Sequence, residues 1–115
     1  MSEQIPTIGR IVLYTLTEVD AQRINSKREA SATYIKAFHE NPTKHGEMQH
    51  SGNPVEPGMV FPLIITRVWG ITPTSAVNGQ VLLDGNDSLW VTSTSAQGKS
   101  EYSATQGHFT WPTRE

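Results

Sequence analysis

Three tryptophans, Trp69, Trp90 and Trp111, stand at or near the ends of apolar alternating segments, and Arg67 precedes the first of them by two residues. On a strand, that spacing puts both side chains on one face. An arginine beside a flat aromatic suits a phosphate-bearing base, because one group neutralises charge and the other stacks. Thr92 stands in the same relation to Trp90, and Tyr14 adds an aromatic ring in the first apolar segment. Arg28 interrupts the apolar stripe of a helical segment and could form a cationic lip over a ligand or an oligomer contact. Tyr14, Arg28, Arg67, Trp69, Trp90 and Thr92 are therefore the candidate ligand-binding residues. Each has an ordinary structural alternative. A tryptophan can serve the core, Arg28 can snorkel from a solvated face, and Arg67 can pair with Asp84 or Asp87.

Other chemistry is poorly provided for. Gly98-Lys99-Ser100 looks like the end of a phosphate-binding loop, but Ser93 stands where the motif needs its first glycine. Without that cradle and an adjoining helix, backbone amides cannot converge on phosphate. Asp84-Gly85-Asn86-Asp87 has three oxygen-bearing side chains, yet lacks the alternating spacing and closing Glu of a calcium loop. A hairpin turn explains the same residues. The four histidines, His39, His45, His50 and His108, form no pair at metal-binding spacing. No Gly-x-Ser-x-Gly elbow and no paired carboxylates offer a nucleophile or an acid–base couple. The expectation is a protein that is not an enzyme, with no cofactor and no metal.

The elements that must position the candidates are set by periodicity and breakers. Residues 10–16 are apolar on both parities, which predicts a strand covered on both faces. Thr17 then offers a hydroxyl cap, with Glu18 and Asp20 at the positive helix end. Asn41-Pro42 supplies the stop, so a helix is expected over residues 18–39. Ala21, Ile24, Ala32, Ile35 and Phe38 lie near one of its faces, with Arg28 in their midst. Residues 41–58 read as a loop, and residues 59–69 as the strongest strand, again apolar on both parities. Pro62 should lie at that strand's beginning, at an edge or at a bulge, since it lacks a ladder donor. Residues 77–83 and 88–94 form a hairpin about Asp84-Gly85-Asn86-Asp87. Residues 96–107 are a polar loop, and residues 108–112 add a short edge strand.

This order predicts an α+β fold: a small SH3-like β-barrel or a curved antiparallel sheet of four to five strands with one long inserted helix. The chain of 115 residues is one domain's worth, residues 1–115. Nine Lys and Arg against 11 Asp and Glu exclude the basic footprint of a general nucleic-acid binder. The absence of Cys excludes disulfide scaffolds and thiol chemistry. No apolar run approaches membrane-spanning length and no secretory signal pattern opens the chain, so a cytoplasmic protein with no membrane partner is expected. One weakly amphipathic helix cannot cover both faces of the sheet, which predicts a homo-oligomer.

Ile8-Gly9-Arg10-Ile11-Val12-x-Tyr14, Gly52-Asn53-x-Val55-x-x-Gly58 and Arg67-Val68-Trp69 form a set with two later segments. These are Val81-x-Leu83-Asp84-Gly85-Asn86-Asp87-x-x-Trp90-x-Thr92-Ser93 and Phe109-Thr110-Trp111-Pro112. The set resembles a family of small, largely uncharacterised proteins encoded by bacterial viruses and prophages. Small viral proteins of this size include sponges that sequester nucleotide second messengers of bacterial immunity. By analogy of size, viral origin and aromatic-plus-Arg content, the resemblance implies a binding protein for a cyclic oligonucleotide or cyclic ADP-ribose-type signal, acting in the host cytoplasm against anti-phage defence. The alternative is a small virion accessory or assembly protein without a small-molecule ligand. An enzyme that degrades such a signal ranks behind both, for want of a general base or metal.

Overall fold

The computed structural model describes residues 4–40, 50–96 and 106–112, with side chains for all of these except residues 33–40. The order of elements is β1 (Ile11–Thr15), α1 (Glu18–Glu40), β2 (Val60–Val68), β3 (Val77–Leu82), β4 (Ser88–Thr94) and β5 (Phe109–Thr110). The five strands make one antiparallel sheet in the order β4-β3-β2-β1-β5, so the fold is α+β.

The sheet is curved and not closed into a barrel. Its two outer strands nevertheless approach each other. An isolated bridge joins Ala96, just past β4, to Phe109 in β5. The Phe109 amide donates to the Ser95 carbonyl at 3.1 Å, and the Thr94 hydroxyl donates to the Gly107 carbonyl at 2.9 Å. Strands at opposite ends of the order can meet in this way only if the sheet bends strongly between them.

One face of the sheet carries the core. Val12 and Tyr14 of β1, Leu63 and Ile65 of β2, Val77 and Val81 of β3, and Leu89 and Val91 of β4 are all buried there, with Phe109 of β5. Helix α1 contributes Ala21 and Ile24 to the same cluster, and Leu16 and Val55 complete it. The opposite face is open. Along β1 that face is 51% exposed at Ile11, half-buried at Leu13 and buried at Thr15. Among the described residues, the expected covering on both faces therefore fails at the start of the strand and holds at its end. Pro62 pairs with Leu13 of β1, and the β2–β3 ladder begins one residue later at Leu63. Its missing N–H thus falls in the first part of β2, before β3 joins.

Helix α1 starts by a reciprocal cap. The Asp20 amide donates to the Thr17 hydroxyl and the Thr17 amide donates to Asp20 Oδ2, each at 3.0 Å. This box satisfies donors that the first turn leaves open. The buried stripe of the helix runs Ala21, Ile24, Arg28, Ser31. Its spacing of three and four is that of one helical face, but its second half is polar. No helix among the described residues is long and apolar enough to cross a membrane.

Candidate functional site

The polar half of the α1 stripe has a partner. Residues 50–55 run antiparallel along the helix, gripped at three successive positions. The Ser31 hydroxyl accepts the His50 amide at 2.7 Å, Arg28 Nη1 donates to the Asn53 carbonyl, and the Asn25 side chain both donates to and accepts from the Val55 backbone. The same loop clasps the β3–β4 turn. Asn53 donates from its amide to the Asp84 carbonyl at 2.9 Å and from Nδ2 to the Asp84 carboxylate at 2.7 Å. Ser51 and Asn86 exchange two bonds of 2.8 Å.

Arg28 locks this clasp. Its Nε and Nη2 donate to the two oxygens of Asp87 at 3.1 and 2.9 Å, in the bidentate geometry that suits a guanidinium. The side chains are 9% and 2% exposed, so the pair is buried. Burial pushes the Asp87 carboxyl up. The hydrogen bonds and charge of Arg28, the backbone amide of Asp87 and the nearby His50 outweigh that and hold it below the ordinary carboxylate range. Arg28 is therefore not snorkelling from a solvated face. Its guanidinium is committed, because three elements that are otherwise far apart in sequence need a cation at their junction.

The clasp also explains why Gly52 and Gly85 face each other across an isolated bridge. A Cβ on Gly52 would lie 2.5 Å from the Asp84 carbonyl oxygen, and one on Gly85 would lie 2.4 Å from that of Ser51. Both obstacles are backbone and cannot rotate away. Gly85→Ala is expected to destabilise the fold by about 1–3 kcal/mol, read as a lower denaturation midpoint, because the loop and turn must separate. An open groove of about 380 Å³ lies beside the clasp, lined by Asn25, Arg28, Glu29, Ala32, Gly52 and Pro54. Asn25 and Arg28, the groups that would grip a ligand there, already serve the loop.

Tyr14 is likewise committed. It lies on the core face, 3% exposed, and its hydroxyl donates to Asp20 Oδ2 at 2.6 Å. Burial first, and then the hydrogen bond and negative charge of Asp20, push the phenol far above its ordinary range. The ring packs and the hydroxyl ties β1 to the start of α1.

The remaining four candidates gather on the open face. The β2–β3 ladder sets Arg67 opposite Asn78 after a bulge at Thr66, and the β3–β4 ladder sets Trp90 opposite Gln80. Asn78 and Gln80 alternate with buried Val77, Gly79 and Val81, so they point away from the core. Trp90 and Thr92 share the outward parity of β4. The Arg67 guanidinium carbon lies 4.3 Å from the centroid of the Trp69 ring. Trp69 is 55% exposed and Trp90 61%. Two strand spacings and an offset of two residues along the strands separate Arg67 from Trp90, so their backbones are roughly 12 Å apart across the sheet. Among the described residues Arg67 has no acidic partner. Asp84 and Asp87, the acids its sequence neighbourhood offered, are held by Asn53 and Arg28.

No protein-family model, curated protein or solved structure matches this chain.

Two residues of the open face were not singled out by sequence. Asn78 accepts a hydrogen bond from Trp69 Nε1 at 3.1 Å and another from the Ser93 amide at 2.8 Å. A polar residue at an outward strand position carries no distinguishing signal. Ser93 has a φ of 54°, the one non-glycine residue with positive φ among those described. The bulge that produces it leaves no mark in a run of Ser and Thr. A second arginine–indole contact, Arg10 over Trp111 at 4.7 Å, lies away from this face. Trp111 packs edge-on to buried Phe109, with ring centroids 5.9 Å apart, so this tryptophan takes the core alternative. The Gly98-Lys99-Ser100 segment and His45 lie outside the described residues, as does the side chain of His39. His50 stands 3.7 Å from Asp87, and His108 contacts Ser95. The turn oxygens that could suggest calcium are consumed by the clasp.

Proposed function

We propose that the open face of the sheet binds a phosphorylated nucleotide and that the protein acts as a sponge, holding a nucleotide-derived signal without converting it. The carrying observation is the Arg67–Trp69 stack: a cation held in place on an exposed surface with no counter-charge among the described residues. Over an indole the guanidinium has no counter-ion, whereas in an ion pair its charge is balanced and its donors are taken, so here it stays available to phosphate. Trp69 and Trp90 offer stacking surfaces to a base. By analogy of size, viral resemblance and aromatic-plus-Arg content with small viral sponges, the signal we propose is a cyclic oligonucleotide or cyclic ADP-ribose-type messenger of host defence, met in the host cytoplasm.

A second copy of the chain completes this reading. The ladder registers align Ile11, Ile64, Gln80 and Trp90 in one row across the open face, with the pair Leu13 and Pro62 beside it. Val60 and Leu82 are 43% and 44% exposed there. A face of this kind, uncharged apart from Arg67 among its described residues, is what self-association buries. The same rows favour the second reading, a virion assembly element, if the face serves protein contact alone.

Native mass spectrometry of the purified chain against a panel of cyclic dinucleotides, cyclic trinucleotides and cyclic ADP-ribose isomers separates the two. The sponge is expected as a dimer or higher closed assembly that retains one panel member intact. An assembly that retains none supports the virion reading. A monomer that retains none removes both.

A further inference from the structure

We propose that Asn78 is the positioning residue of the open face, fixing the Trp69 indole in the orientation that receives a planar base. This rests on the nucleotide-binding reading of the Arg67–Trp69 stack. An indole more than half exposed at the end of a strand ordinarily exchanges between rotamers, and a ligand that stacks on it must freeze that motion. Here the freezing is done beforehand. The side-chain oxygen of Asn78 accepts the Trp69 ring N–H, which fixes the edge of the ring, while Arg67 lies over one of its faces.

The oxygen is itself held from the other side. Ser93 turns its amide onto Asn78 by adopting a φ of 54°, a conformation that L side chains rarely take. The bulge pairs Val77 with Thr94 and Gly79 with Val91, so two residues of β4, Thr92 and Ser93, stand against Asn78 alone. Strain of this kind persists only where the surroundings over-determine it, and it concentrates at binding sites. The result is a chain of contacts, Ser93 to Asn78 to Trp69 to Arg67, that crosses three strands. It fixes an aromatic ring and a cation on a surface where core packing demands neither. The ligand class that matches is an anion with a planar heterocycle, since ring and charge are held together.

The test uses Asn78→Ala and Trp69→Phe, which remove the same hydrogen bond from its two ends, and their double variant. Trp69→Phe keeps an aromatic ring under Arg67 and leaves the Asn78–Ser93 bond in place, so it remains informative if Asn78→Ala fails to fold. Without ligand, the Trp69 indole N–H is expected to exchange with solvent faster in Asn78→Ala, while the Trp90 indole N–H is unchanged. Identical exchange at Trp69 in the variant and the parent chain overturns the proposal. With ADP-ribose and a cyclic dinucleotide as probes, each single variant is expected to bind about tenfold more weakly, the cost of ordering one side chain on binding. The double variant is expected to be no weaker than either single one. Losses that multiply in the double variant mean that the two residues act independently, and they overturn the proposal. If Arg67→Ala abolishes binding while Asn78→Ala leaves affinity unchanged, the positioning role fails and the nucleotide reading stands. If the parent chain binds neither probe nor any other member of the panel, the nucleotide reading fails and the exchange measurement alone decides the role of Asn78.

Discussion

Asp87→Ala is expected to destabilise the protein by about 3–5 kcal/mol, because it strands the Arg28 guanidinium in a buried junction. The Asn53 carbonyl would remain as its partner, and one neutral acceptor does not neutralise a charge. A domain of this size typically has a stability of about 5–15 kcal/mol, so the loss is a large share of the whole. A urea titration checks it: the midpoint should fall with little change in slope. Loss of less than about 1 kcal/mol would mean that the pair is solvated and that the clasp is held by its backbone bonds. An apolar exchange of both partners, Arg28→Met with Asp87→Leu, should cost less than Asp87→Ala, since no charge is left without a partner.

The same pair sets a pH dependence with a definite sign. The Asp87 carboxyl is held below its ordinary value, so the folded state favours the ionised form. Its contribution is fully present above the unfolded carboxyl's pKa of about 3.9 and is lost as pH falls through the lower, folded value. The parent chain should therefore weaken below about pH 4. Asp87→Asn should be less stable at neutral pH and show a flatter decline in acid.

Arg67→Ala has the second large effect, and it falls on binding. The residue is exposed and its described contact is the Trp69 ring, so its removal should cost about 0.5–1 kcal/mol of stability at most. Affinity for the retained nucleotide should fall by roughly 2–5 kcal/mol, because a phosphate is left unpaired where the guanidinium stood. Arg67→Lys should recover part of this, since an ammonium supplies charge without the planar two-pronged geometry. Thermal melts and calorimetric titrations on the same preparations separate the two quantities. Unchanged affinity in a folded Arg67→Ala removes Arg67 from the site and takes the carrying observation of the sponge with it.

Elements with local signals were legible in the sequence. The Thr17 cap and the turn at Asp84-Gly85-Asn86-Asp87 each act within a few residues, and they set the start of the helix and the hairpin. That Arg67 and Trp69 share a face was legible for the same reason. Their parity is also that of buried Leu63 and Ile65, however, and it is the bulge at Thr66, which no local pattern marks, that turns the pair outward. Arg28 was not legible, because its partners lie 25 and 59 residues away, and no local pattern gives the register of residues 50–55 against α1. Tyr14 looked available because its acceptor, Asp20, sits beyond the helix start, where strand alternation no longer applies. The motifs Gly52-Asn53 and Asp84-Gly85-Asn86-Asp87 meet each other in the clasp. Their residue types answer to close backbone approach rather than to a ligand.

The pairing of β1 on both sides has a consequence for how the chain reaches this state. Its partners begin at Val60 and at Phe109, so β1 is fully paired only once residues far along the chain are in place. The β3–β4 hairpin closes across a short turn and α1 forms within its own span, so both can arise early. Docking of β1 must close loops of about 45 and 95 residues, and the entropy of closure precedes any reward from the contacts. The expected slow step is therefore the docking of β1 onto a β2 already paired with β3. In that interval the apolar edge of β2 is unguarded, and crowded synthesis exposes it to neighbouring chains.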